Sequence, residues 1–323
     1  MRSRFAWLSA AAFALLLASE CVALAGFPER PIKIVLGFGA GGPTDIVART
    51  LADALSKDFG QSVIVENQPG ASGNIATETV GKADADGYTL LVGANPLAVN
   101  ESLFPDFPYK FGKDIVAVSA IGTTATVLVV RPSLNIHNLG EFARAARAKR
   151  DGLSYAAIGI GSTSHLAGVA FDLQAGSHML AVEYHGVNEA LKDLLGGNVD
   201  AWFATIPGVL GPIKAGQLTA LATTGPERAP SLPDVPTVAE SGFPGYDVRL
   251  WVGVFARGGM APQTLDVIEQ AIGRAMKSDE TQTALQRQGI APSTMNRDEF
   301  TAFVTQEVAR AKTIVAAFKA EEH

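Results

Sequence analysis

Two stretches of this chain combine glycines with amide and hydroxyl groups where a strand should give way to a helix. The first is Gly37-Phe38-Gly39-Ala40-Gly41-Gly42-Pro43-Thr44-Asp45, and the second is Gly159-Ile160-Gly161-Ser162-Thr163-Ser164-His165. Backbone N–H groups at a helix start have no intrahelical partner and sit at the positive end of the helix dipole, so both stretches are suited to holding an anion. Glycine adds close approach, because no Cβ stands between backbone and ligand. The first stretch also satisfies G-x-G-x-x-G, with Glu66 near the end of the next strand, which is the pattern of a dinucleotide site.

Other groups carry less chemistry. Asp45 reads as a first-turn carboxylate that bonds a free N–H of its own helix and complements the dipole, a shaping role rather than a catalytic one. Ser162 reads equally as an N-cap. The second stretch contains no G-x-S-x-G, so an esterase elbow is unsupported. None of the five histidines stands four residues from another or within H-E-x-x-H, so no metal and no cofactor are expected. His185, in Tyr184-His185-Gly186 after a strand, suits a cleft residue and an ordinary loop histidine alike. Trp251 reads as core.

Positioning these groups requires an α/β framework, and the patterning supplies one. Short β-branched runs alternate with helical periods, as in βαβ units with a mostly parallel sheet. Ile32–Phe38 reads as a buried strand, and Pro43 opens a helix with Val47, Ala48, Leu51, Ala52 and Leu55 on one face. Strands at 63–66 and 88–92 follow, with a helix to about Lys82 between them. From Ile115 to Arg131 the pattern predicts two strands broken around Gly122-Thr123-Thr124, the first crossing between domains. A second α/β series runs to Thr223, and Pro226–Pro244 is an irregular connection. A strand at 248–255 then returns the chain, and the remainder is helical. Phe300, Phe303, Val304, Val308, Ala311 and Val315 mark the core face of the last helix. The predicted fold is α/β with two lobes, each a mostly parallel sheet flanked by helices, and a ligand cleft where strand-to-helix turns converge.

Composition narrows the function. The chain has 323 residues, a net charge of −6, 47% apolar and 18% charged residues, which marks a well-packed globular protein. The acidic balance excludes a nucleic-acid partner. The N-terminus has basic residues at Arg2 and Arg4, an apolar run Phe5–Ala18 and the exit site Ala23-Leu24-Ala25, so residues 1–25 are expected to be a cleaved signal peptide. The run falls short of the roughly 20 residues that span a bilayer. Charged Glu20 directly before Cys21 argues against a lipid anchor. Loss of Cys21 leaves no thiol for catalysis, clusters or disulfides. Export also disfavours the dinucleotide-dependent oxidoreductase, which works in the cytosol.

Taken in order, PERPIKIVLGFGAGGPTDIVAR, VENQPGASGNIA, ADGYTLLVG, GSTSHLAG, Tyr184-His185-Gly186, LLGGNVDAWF, LATTGPERAPSLPDVPTVAESGFPGY and WVGVFA resemble the Bug family, the TctC-like extracytoplasmic receptors of tripartite tricarboxylate transporters. The resemblance spans essentially the whole chain after the leader. It implies a periplasmic, Venus-flytrap solute-binding protein, not an enzyme, that captures a small organic carboxylate and engages a permease of one small and one large membrane subunit. A monomer is expected. The implied lobes are 26–124 with 249–323, and 125–248. The implied ligand contacts are Phe38, Gly39, Ala40, Gly41, Gly42, Pro43, Thr44 and Asp45, with Ala71 and Asn95 on neighbouring loops, and Ser162, Thr163, Ser164 and His185 from the second lobe. Thr205 joins this set at a departure from the family: many relatives carry an acidic or amide residue followed by a polar one where this chain has Ala204-Thr205. Without an acidic group to hold an ammonium, the expected ligand is a carboxylate lacking positive charge. A receptor feeding a sensory system is the alternative.

Overall fold

The computed structural model describes residues 26–104, 108–148, 153–287, 289–293 and 295–321. The leader read at 1–25, with its exit site and Cys21, lies outside them. Among the described residues no helix is long and apolar enough to cross a membrane.

Strands β1 (Ile32–Leu36), β2 (Val63–Asn67) and β3 (Thr89–Ala94) alternate with helices α1 (Pro43–Phe59), α2 (Asn74–Lys82) and α3 (Asn95–Leu103). A long strand, β4 (Ile115–Val130), leads to α4 (Leu139–Ala148), β5 (Ser154–Ala157), α5 (Thr163–Ala175), β6 (Leu180–Glu183), α6 (Val187–Gly196), β7 (Ala201–Thr205), α7 (Ile206–Lys214) and β8 (Thr219–Thr223). The chain closes with β9 (Arg249–Arg257), α8 (Pro262–Met276), α9 (Asp279–Arg287), β10 (Ala291–Pro292) and α10 (Arg297–Glu321).

The sheet order is β2-β1-β3-β9-β4-β7-β5-β6, with β8 and β10 also on β4. Pairing is parallel among β1, β2 and β3 and among β5, β6 and β7, so each trio ends its strands along one edge. The central strands are antiparallel: β9 pairs both β3 and β4, and β4 pairs β7 and β8. The break expected near Gly122 is absent. β4 runs 16 residues through that point, and the irregularity shows instead as register shifts between Ala117 and Ser119 and between Ala120 and Gly122. Its Ile115–Ala125 part pairs β9, and its Thr126–Val130 part pairs β7. One strand therefore serves both halves of the sheet.

Period-two alternation divides each half into two cores. Ile34 and Leu36 pack with Val47, Leu51 and Leu55 of α1 and Ile268 of α8, whereas Val35 and Leu91 pack with Ala76 of α2, Leu97 of α3, Trp251 and Phe300. In the other half, Leu128, Tyr155 and Phe203 face Phe142 of α4 and Phe171 of α5, while Val127, Val129 and Trp202 face Leu194 of α6 and Val209 of α7. Helix α10 belongs to both halves. Phe300 and Val304 are buried in one core, Ala311 and Val315 in another.

Candidate functional site

Parallel pairing brings the two glycine-rich turns to the carboxyl ends of β1 and β5, the position where open α/β sheets bind ligands. In the first turn Gly39, Ala40 and Gly41 are exposed, Phe38, Gly42 and Pro43 are half-buried, and Thr44 and Asp45 are buried. Gly41 has φ +82°, a conformation that favours glycine, and Gly42 caps α1 without any side-chain bond. Pro43 stands at the first helical position, so the open N–H groups of this turn point from backbone alone.

Asp45 braces this loop. Its Oδ2 accepts from the Gly41 N–H at 2.9 Å and Arg49 Nε at 3.0 Å, and its Oδ1 accepts from Asn67 Nδ2 at 2.8 Å. The bonded amide lies just before the helix cap, not within the helix as the sequence suggested. Asn67 Nδ2 also donates to the Phe38 carbonyl at 3.0 Å, and Arg49 Nη2 donates to Asn67 Oδ1 at 2.9 Å. Burial would raise the Asp45 pKa, but hydrogen bonds from Arg49, Gly41 and Asn67 outweigh it and hold the carboxyl below its ordinary value.

The neighbouring loop after β2 lies in the left-handed region at successive residues: Gly70 (φ 128°), Ala71 (φ 45°), Ser72 (φ 53°) and Gly73 (φ 83°). For Ala71 and Ser72 this is a strained conformation, and packing holds it. A Cβ on Gly37 would lie 2.6 Å from Gly73 Cα, so the two loops touch through bare backbone. Asn100 of α3 donates from Nδ2 to the Ser72 carbonyl at 2.9 Å and to Asn74 Oδ1 at 2.6 Å.

The second turn is built differently. Gly159 (φ 84°) and Gly161 (φ 77°) bend it, and Ser162 caps α5, its Oγ accepting from the His165 N–H at 3.3 Å. Ser164 Oγ accepts from the Ile158 N–H at 2.9 Å and lies 3.0 Å from Ser162 Oγ. His165 Nδ1 accepts from the Gly161 N–H at 3.2 Å, and Glu183 Oε1 accepts from that of Ile160 at 2.9 Å. Burial lowers the His165 pKa to about 4, against an opposing pull from Glu183, so the imidazole stays neutral as this acceptor role requires.

The second turn meets the loop after β2 and the start of α3, which belong to the opposite half. A Cβ on Gly159 would lie 4.0 Å from Ser72 Oγ, and one on Gly161 would contact Leu103 and Val99 of α3. Thr163 Oγ1 donates to Asn95 Oδ1 at 3.2 Å. Asn95 is almost fully buried; its Oδ1 also accepts from the Trp251 N–H at 3.1 Å, and its Nδ2 donates to the Arg249 carbonyl at 2.9 Å. Asn95 thus lies at the junction of the halves with its amide engaged by protein. A cavity bordered by Asn95, Leu166, Arg249, Glu307 and Arg310 lies beside it.

The remaining expected residues are placed as follows. Ala71 is exposed on the strained loop. His185 is exposed after β6, and its N–H donates to Glu189 Oε2 at 3.2 Å. Thr205 ends β7 and caps α7 without a side-chain bond, and its Oγ1 is buried with no partner among the described residues. No group of three or more His, Cys, Asp and Glu among the described residues is arranged to hold a metal ion. Sequence reasoning missed Arg49, Asn67 and Asn100. The i,i+4 spacing of Asp45 and Arg49 was the available signal for the first; the other two depend on loops that meet only in the fold.

The profile described as tripartite tricarboxylate transporter family receptor matches residues 47–319. The chain belongs to that family. It is 37% identical over 286 residues to Protein BugT of Bordetella pertussis, covering 88% of each chain. Among solved structures it is similar to R. palustris Rpa4515 with adipate, at 31% identity and TM-score 0.82, covering 90% of this chain and 98% of that one. It is also similar to MatC from Rhodopseudomonas palustris with bound malate, at 30% identity and TM-score 0.80, covering 90% of this chain and all (100%) of the other. The two-lobe α/β fold of periplasmic binding proteins agrees with the expected fold class.

Proposed function

We propose that this tripartite tricarboxylate receptor family member is a periplasmic binding protein that closes two lobes on one small organic carboxylate and presents it to a two-subunit permease. It acts as a monomer and leaves its cargo chemically unchanged. The lobes are residues 26–124 with 249–323, and residues 125–248, with α10 bridging both cores. The observation that carries this reading is the placement of two unlike anion cradles at strand ends in opposite halves of the sheet: one of backbone amides at Phe38–Asp45, the other of amides and hydroxyls at Ser162–Ser164, whose turn approaches the loop after β2 at Ser72 and Gly159. We assign Ala71, His185 and Thr205 to the same site, and Asn95 links the lobes through Thr163 and Trp251. Adipate in Rpa4515 and malate in MatC are carboxylates without an ammonium group. Ala204-Thr205 supplies this chain with no counter-charge for one.

A ligand bound only by the folded form stabilises it by mass action, about 2.7 kcal/mol at a hundredfold excess over Kd. A thermal-shift screen of the mature chain against mono- and dicarboxylates, including malate and adipate, with aspartate and glutamate alongside, tests the proposal. A raised Tm with carboxylates that lack an ammonium group supports it. A preference for aspartate or glutamate, or no shift with any carboxylate, overturns it.

A further inference from the structure

The first cradle is assembled over a carboxylate. The Asp45 side chain is only 4% exposed and bonds directly to the Gly41 N–H in the loop offered to the ligand. Charge of the ligand's own sign at such close range works against anion capture, and partial burial strengthens the repulsion because the surrounding dielectric is low. We propose that Arg49 is the counter-charge that lets this loop accept an anion, and that with Asn67 it positions the loop. This rests on the receptor reading above.

The geometry is specific to arginine. Nε serves Asp45 and Nη2 serves Asn67 from one planar fork, while Asn67 ties Asp45 to the Phe38 carbonyl. The loop is held at both ends, Phe38 by its carbonyl and Gly41 by its N–H, and all the bonds run through the Asp45–Asn67–Arg49 cluster. The groups facing Asp45 are Arg49 from its own helix, neutral Asn67 from β2 and the Gly41 amide. Asp53 lies one turn beyond and acts on Arg49. The nearby Lys33–Glu66 pair on β1 and β2 compensates itself. The depressed Asp45 pKa agrees with a carboxylate kept ionised and neutralised locally.

The test compares Arg49→Gln and Arg49→Lys with wild type by calorimetric titration of the tightest carboxylate in the malate and adipate panel, between pH 5 and 8. Arg49→Gln should weaken binding about tenfold at pH 7.5, a loss that shrinks toward pH 5 as the buried Asp45 takes up a proton. Dividing by wild-type affinity at each pH removes the ligand's own titration. Arg49→Lys should recover part of the loss, since it restores the charge but not the fork to Asn67. A pH-independent loss shared equally by both variants overturns the inference in favour of simple propping. Carbon-detected NMR titration of the Asp45 carboxyl is independent of ligand: an upward shift in Arg49→Gln is expected, and an unmoved titration overturns the inference even if no carboxylate binds, which would count separately against the receptor reading.

Discussion

Thr163 Oγ1 donates to Asn95 Oδ1 at 3.2 Å, a hydrogen bond between the first turn of α5 in one half of the sheet and the first turn of α3 in the other. The same oxygen accepts from the Trp251 N–H in a crossing strand. One side-chain amide thus connects both halves and the strand that joins them.

Asn95→Ala would leave the Trp251 N–H and the Arg249 carbonyl without their side-chain partner, so it should cost about 3 kcal/mol in urea unfolding. Thr163→Val removes only the bond across the halves and should cost about 1 kcal/mol. Equal losses would mean that Asn95 does not anchor the crossing strand.

Gly37→Ala places a methyl group 2.6 Å from Gly73 Cα, where only backbone movement relieves the clash. The expected result is a loss of about 1–3 kcal/mol together with weaker carboxylate binding, because the Phe38–Gly41 and Gly70–Gly73 loops must part. Unchanged unfolding and binding would show that these loops are not in firm contact.

Gly42→Leu is tolerated by the backbone, since φ is −76° and the nearest atom to an added Cβ is the Gly39 carbonyl oxygen at 3.7 Å. It should abolish the ligand-induced Tm shift while leaving the ligand-free Tm within about 4 °C, the effect of less than 1 kcal/mol in a domain-sized unit. An undiminished shift would place the ligand elsewhere.

His165 links stability to pH. Its folded-state pKa is about 4, below the 6.5 of the unfolded chain, so between these values the unfolded state binds the extra proton. Its contribution is complete above pH 6.5 and is lost as pH falls toward 4, with a slope of up to about 1.4 kcal/mol per unit. Urea midpoints measured from pH 7 to pH 4.5 should fall less steeply in His165→Gln. Identical slopes would assign the pH dependence to other groups.

The local geometry of the candidate site is legible in the sequence because its signals are local. Ser162 as an N-cap, Pro43 at a first helical position and the bends at Gly159 and Gly161 all follow from neighbours a few residues away. The structural role that the sequence implies for Asp45 agrees with its hydrogen bonds, yet its acceptor role reaches outside the helix and into β2. Helix α3 was not foreseen: Asn95–Leu103 has apolar residues all round and lies buried between the halves, so it lacks the one-sided pattern that marks a surface helix. The uninterrupted β4 was also missed. Gly122 resembles a break in sequence but in the fold faces the backbone of Ala291, where a Cβ would lie 2.4 Å from that carbonyl oxygen.

By itself the sequence determined the alternation of strands and helices, the two glycine-rich helix starts and the family, since hydrophobic period, turn chemistry and helix capping act over short spans of chain. Only the tertiary structure decided which loops meet. Ser72 approaches Gly159, Thr163 reaches Asn95, and Arg49 joins Asn67 because parallel strands align their ends and the long β4 carries both halves. Those contacts depend on register and closure, which residues far apart in the chain settle jointly through packing.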